Sequence, residues 1–314
     1  MPEGNAPEFF APVELLGADA GSEGVLVAAR AEPLGPGDAP PKRGLGPVFW
    51  ICFGWVALLI VLAVLAPLLP IKSPDVQDYT AVNVGPTLRH LLGTDDLGRD
   101  LLSRIIWGSR ASLTIGFASV ALGLLLGGPP GLYAGLRGGA GDSLLNAWFF
   151  VLLAFPPLLA ILVIEAFWGV SLFKLVIMFA FIAAPQFFRV IRATTLSFAN
   201  REFVTAARTL GARTGRIVLR EILPNVVPAA ISFALLGVAI AIIVEGSLAF
   251  LGLSIQLPTA SLGNIVNQGV QNNNLQYNAY IALWPSLYIF LLLVALNLMA
   301  DRLRARFDVR EVRL

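Results

Sequence analysis

The sequence predicts an all-α polytopic membrane protein with six transmembrane helices. Three observations carry this. Of 314 residues, 57% are hydrophobic and only 13% are charged, about half the charged share of a typical soluble domain (about 25%). Five stretches are charge-free and long enough for the roughly 20 residues that cross a bilayer: Val48 to Pro70, Ala111 to Leu136, Ser143 to Ile164, Ile222 to Val244, and Gly246 to Ala300. A sixth apolar stretch lies between Glu165 and Arg192, with Lys174 near one end, where its stem can snorkel to the interface. This composition excludes a soluble enzyme, a nucleic-acid-binding domain and an intrinsically disordered protein as readings of the whole chain. A net charge of +2 is too small to imply a polyanionic partner such as nucleic acid.

In chain order, residues 1–43 are rich in Pro, Gly, Ala and Glu, cannot build a core, and read as a disordered cytoplasmic tail. Residues 44–70 hold the first transmembrane helix, about 48–70. Residues 71–110 form an extracytoplasmic loop. The five-helix core, 111–300, has spans at about 111–135, 144–167, 171–192, 226–250 and 280–300. The amides between the last two, from Gln256 to Asn278, read as a neutral polar loop. Residues 301–314 form a cytoplasmic tail, placed at the lipid headgroups or against a cytoplasmic partner. Arginine and lysine set the orientation. Arg30, Lys42, Arg43, Arg137, the arginines from Arg189 to Arg220 and those from Arg302 to Arg313 share one side. The other side carries Lys174 and, in the first loop, Lys72, Arg89, Arg99, Arg104 and Arg110. Both termini are therefore expected in the cytoplasm.

The connection at 200–225 is long for a loop between membrane helices. Phe203, Ala206, Ala207 and Leu210 fall at helical spacing. Asn200 is the candidate N-cap, and Glu202 suits the positive end of the helix dipole. Gly211 ends the helix or turns the chain, and Ile217, Val218 and Ile222 predict a second short helix running to Pro224. The product is a compact knob with an apolar face suited to a partner's groove.

Thr205-Ala206-Ala207, Gly211 and Ile222-Leu223-Pro224 resemble the coupling motif of binding-protein-dependent ABC importers. That motif is Glu-Ala-Ala, three residues, Gly, nine residues, then a block ending in Leu-Pro. Thr205 stands at the usual glutamate position. Gly93 to Asp100 with Ser103-Arg104, Leu153 to Pro156, Leu223 to Asn225, Leu248 to Leu253 and Asn297 to Asp308 narrow the resemblance. They point to the second, C-type permease subunit of the dipeptide/oligopeptide/nickel branch, over about residues 45–310. The resemblance implies a type I ABC importer permease fold with a cytoplasmic coupling helix-turn-helix, in the membrane of a prokaryotic cell. It implies a homologous second permease, two cytoplasmic ATPase subunits, an extracytoplasmic solute-binding protein, and a short peptide as substrate. Coupling to the ATPase would fall to Thr205, Ala206, Ala207, Gly211, Ile222, Leu223 and Pro224. No Gly-x-x-x-x-Gly-Lys-Ser/Thr loop occurs in the chain, so no catalytic residue or cofactor is expected here, and ATP with its Mg belongs to the ATPases. Nickel chelates or another small solute remain the alternative cargo. A stand-alone secondary transporter or channel is the rival class, and it would be expected to carry charges at the membrane midplane.

Glu245, late in the fifth helix, either faces the translocation path or the partner permease, or is a solvated interfacial glutamate. Glu165 reads as interfacial. Gly127-Gly-Pro-Pro-Gly131 interrupts the second helix with a kink, for packing rather than gating, and Pro156-Pro157 kinks the third. Asp95, Asp96, Arg99 and Asp100 read as local ion pairs and a helix cap, not a metal site. His90 reads as a surface residue and Cys52 as core. With one cysteine and one histidine, neither a disulfide nor a His/Cys metal cluster is expected.

Overall fold

A computed structural model describes residues 44–169, 171–255, 259–271 and 274–307. The tail expected at 1–43 lies outside these, as do residues 308–314 and the amides Gln256, Asn272 and Asn273. The described residues are helical apart from loops and one isolated bridge between Thr94 and Asp100. Five helices are long and apolar enough to cross a membrane, and one bent pair passes the same test when its two helices are taken together.

Helix α1, Gly46–Leu65, is apolar all round. It buries one stripe, Cys52, Val56, Leu59 and Ala63, and leaves Trp50, Ile51, Phe53 and Val64 exposed. That division suits a helix with protein on one side and lipid on the other. It ends at Leu65, short of the expected Pro70.

Helix α2 spans Leu101–Arg137 and starts ten residues before the expected Ala111. The Asp100 carboxylate caps it by accepting from the Ser103 amide at 2.9 Å. Its 37 residues rise about 55 Å, against about 30 Å of hydrocarbon, so its first turns lie outside the bilayer, where Arg104 is packed in protein. The expected interruption at Gly127–Gly131 is absent: α2 runs unbroken through Pro129 and Pro130. Gly123, Gly127, Gly131 and Gly135 recur every fourth residue and form a seam for helix α5, Leu172–Ala199. A Cβ on Gly131 would sit 2.7 Å from the Phe188 carbonyl oxygen, and one on Gly135 2.7 Å from that of Arg192. Only glycine lets the two backbones approach this closely.

Between them, α3 (Gly139–Ala154) and α4 (Pro157–Trp168) are the bent pair, at 75° to one another, where the third span was expected. Among their described residues only Phe149, Ile161 and Glu165 are buried. Phe149 stacks on Phe188 of α5 with ring centroids 4.4 Å apart, and Asp142 holds Arg192 through two hydrogen bonds of 2.5 and 2.7 Å. Glu165 departs from expectation. It is buried against the apolar interior, and both carboxylate oxygens lack a hydrogen-bond partner among the described residues.

After α5 come α6 (Glu202–Thr209), α7 (Thr214–Ile217), a π-turn over Val218–Ile222, and α8 (Leu223–Phe250). The expected break before residue 226 does not occur, because Thr214 to Phe250 is one continuous helix. The π-turn fits Pro224, which has no N–H to offer the carbonyl four residues back. The stretch expected to be a polar loop contains α9 (Leu262–Val270) and α10 (Asn274–Tyr277). Leu262, Gly263, Ile265 and Gly269 of α9 are buried. The last helix, α11 (Tyr280–Phe307), runs through the segment expected to begin a tail at residue 301.

Candidate functional site

The 200–225 element is built by local chemistry. Asn200 closes α5 instead of opening the next helix, and Arg201 takes the N-cap position of α6 without a side-chain bond. Glu202 in the first turn and Arg208 in the last complement the α6 dipole. At its end the Gly211 amide donates to Arg208 O and the Ala212 amide to Ala207 O, both at 3.0 Å. With Gly211 at φ +77°, this is a Schellman cap, which needs a left-handed residue at that point. Beyond its chain neighbours, no atom lies within 4 Å of where a Gly211 Cβ would be, so the glycine is required by backbone conformation rather than by space.

Val204, Ile217 and Ile222 are buried, and with Val226 they pack on Ile191 and Ala199 of α5. These anchors fix the element to the membrane helices. Of the seven residues singled out by sequence, only Ile222 is fully buried. Ala207 and Leu223 are half-buried, and Thr205, Ala206, Gly211 and Pro224 are exposed. Sequence reading placed Ile217 in the second short helix without assigning it a role, and it missed Val204, whose one signal was an apolar side chain next to the face set by the Phe203–Leu210 spacing. Of that chosen face, Leu210 is 87% exposed while Ala207 packs against the buried anchors; Leu219, outside that face, is 66% exposed. The Thr205 side chain is also exposed. Two bulky apolar side chains held out from a preformed turn make a surface for a partner.

The second polar centre is Glu245, 1% exposed. Its carboxylate accepts from Ser254 Oγ at 2.9 Å and Ser112 Oγ at 3.0 Å, and the Leu262 amide donates to Ser112 Oγ at 3.3 Å. It is therefore enclosed within this chain, not solvated at an interface, and in this conformation it does not line an open surface.

The third centre lies before α2. Asp95 Oδ2 accepts from Arg99 Nε at 2.8 Å and Arg104 Nη1 at 2.5 Å, and Gln268 Oε1 of α9 accepts from Arg104 Nη1 at 2.6 Å and Arg99 Nη2 at 3.1 Å. Asp95, Arg99 and Arg104 are all buried, so the ion pairs read from the sequence are internal. His90 is a correction: it is buried, with Nδ1 2.9 Å from Asp100 Oδ2. Nearby, hydrogen bonds from the Thr80 hydroxyl and amide hold the exposed Asp78 carboxyl below its usual pKa.

Comparison with known proteins decides what this arrangement belongs to. Residues 127–312 match the family described as "Binding-protein-dependent transport system inner membrane component". The chain belongs to that family. It is thus the permease of an ABC importer, a membrane subunit among non-catalytic relatives whose ATPase partners use ATP. The permease is 36% identical over 255 residues to the glutathione transport system permease protein GsiD of Pectobacterium atrosepticum, covering 81% of this chain and 84% of that protein. It is also 36% identical over 253 residues to the dipeptide transport system permease protein DppC of Alkalihalophilus pseudofirmus, covering 81% and 83%. Among solved structures it resembles an inward-facing form of the MetNI methionine ABC transporter, with a TM-score of 0.53 and 21% identity over 66% of this chain and 96% of that one. That likeness concerns the fold alone.

Proposed function

We propose that this permease imports short peptides across the cell membrane of a prokaryote, with both termini in the cytoplasm. A homologous permease completes the translocation path. Two cytoplasmic ATPase subunits drive it with ATP and Mg, and an extracytoplasmic binding protein delivers the peptide. The relatives named for glutathione and dipeptide transport support this substrate class. The observation that carries the coupling role is the join between the capped turn at Gly211 and the unbroken helix Thr214 to Phe250. A push on Thr205, Ala206, Ala207 or the exposed Leu210 acts at one end of a rod about 55 Å long by the α-helical rise. Closure of the ATPases then becomes rigid-body movement of a spanning helix. Ile222, Leu223 and Pro224 lie within that helix, at the end of its π-turn. The exposed Arg201, Arg208, Arg213, Arg216 and Arg220 around the element support its placement on the cytoplasmic side.

Two measurements test this. Gentle purification of the tagged chain from its native membrane should bring a second permease and Walker-motif ATPases with it, whereas a chain that comes out alone sinks the proposal. Gly211→Val forces a β-branched residue into a left-handed conformation at a cost of about 1–2 kcal/mol, with open space around it. Insertion should stay normal while peptide uptake falls at least tenfold. Normal uptake would remove the account of the turn.

A further inference from the structure

The nine residues of α9 (Leu262–Val270) touch both the far end of α8 and the polar cluster at the start of α2. Towards α8, Gly263 packs so closely that a Cβ there would lie 2.7 Å from Gly246 Cα and from Ala249 Cβ. Asn267 Nδ2 donates to Ala249 O at 3.2 Å, and Asn264 Nδ2 to Ile255 O at 2.5 Å. Ser261 caps α9 by accepting from the Asn264 amide at 3.2 Å, and Ser112, which accepts from the Leu262 amide, also holds Glu245 of α8. Towards the segment 71–100, Gln268 accepts from both Arg99 and Arg104. Their shared partner Asp95 also accepts from the amides of Leu97 and Arg99 at 2.9 Å and, through its carbonyl, from the Asn83 amide at 3.1 Å. Purely apolar helix contacts have no fixed direction and can slide. A buried network of charged, hydrogen-bonded groups has discrete arrangements, and breaking it leaves charges unpaired.

We propose that α9 is a strut joining the α8 rod to the 71–100 segment, with Gln268 the positioning residue at its far end. The coupling element at one end of the rod and the ordered segment at the other then shift together. Docking of a binding protein on the segment's side is transmitted to the ATPases, and ATPase closure is transmitted back. This rests on the reading of the chain as an ATPase-driven permease.

The test uses the complete complex with its co-purified partners in lipid nanodiscs. The readout is the ratio of ATP hydrolysis with saturating binding protein and peptide to hydrolysis without them. Gln268→Ala removes the acceptor and should keep basal hydrolysis within twofold while the ratio falls at least fivefold. Gln268→Glu keeps the acceptor and should restore most of the ratio. A ratio within twofold of the unmodified complex in Gln268→Ala overturns the strut. A measurement that needs no variant stands beside it: trapping nucleotide on the unmodified complex should change amide exchange at Asn83 and Leu97 at least threefold, and no change there also overturns it. A preparation without any ATPase refutes the importer reading instead, so the two failures are distinct.

Discussion

Two Pro-Pro pairs sit in spanning helices of this chain with opposite results. Pro129-Pro130 lies inside α2, which stays helical through both. Pro156-Pro157 separates α3 from α4, with Phe155 at ψ 125° and Pro156 at ψ 121°, both extended, and a bend of 75°. The local rule is the same for each: a proline ring disfavours the helical conformation in the residue before it. Gly128, lacking a Cβ, escapes part of that clash. Pro129, directly before Pro130, does not, yet it remains helical. The remaining difference is tertiary. α2 is locked along its glycine seam to the backbone of α5, while α3 and α4 bury three side chains among their described residues. Where packing is dense it overrides the proline rule, and where packing is sparse the rule decides the shape.

Breaking the seam should have the largest effect. Gly131→Val places a branched side chain where even a Cβ meets the Phe188 carbonyl at 2.7 Å. The helices must part, and the loss is expected to exceed about 4 kcal/mol, the range of severe overpacking and backbone clash. Folded protein recovered after detergent extraction measures this, and normal yield with an unchanged melting temperature would refute the seam. The next effect is at the start of α2. Asp95→Asn leaves two buried guanidinium groups facing neutral partners and should cost about 3 kcal/mol. Thermal unfolding in detergent reads it, and a shift no larger than that of an exposed control such as Asp75→Asn would show that the pair contributes nothing.

The spans were legible because each lies in an apolar run, and the Gly211 turn was legible because a Schellman cap is written in a few consecutive residues. What the sequence hid depends on partners far along the chain. Arg110 and Arg104 precede the charge-free window, so α2 appeared to start at Ala111, but Asp95 pairs with Arg104 and Gln268 accepts a hydrogen bond from it inside protein rather than lipid. His90 gave no sign of burial because its partner, Asp100, is ten residues away around a loop. The three serines around Glu245 and the first turn of α9, Ser112, Ser254 and Ser261, come from separate segments. The amides around α9 looked like a solvated loop, although Leu262, Ile265 and Gly269 with Ser261 as N-cap already carried a helical period. Ten amides in so short a stretch outweighed that signal, and only the fold shows that several of them act as internal connectors.

The smallest effect on stability is the sharpest test of the comparison. Replacing both Pro156 and Pro157 with Ala frees Phe155 and residue 156 to become helical and restores two backbone donors. Stability should move by less than about 1 kcal/mol, since little is packed on the joint. Shape should change more. Spin labels at the exposed positions Leu144 and Phe167 should move apart by about 7 Å if the arm straightens, given a rise of 1.5 Å per residue. The matching pair of substitutions at Pro129 and Pro130 should leave the course of α2 unchanged, because that course is set by the glycine seam. If the arm stays bent without its prolines, the three buried anchors Phe149, Ile161 and Glu165 set the angle. Sparse packing would then be enough to override the local rule, and the contrast between the two proline pairs would lie in the direction of packing, not in its density.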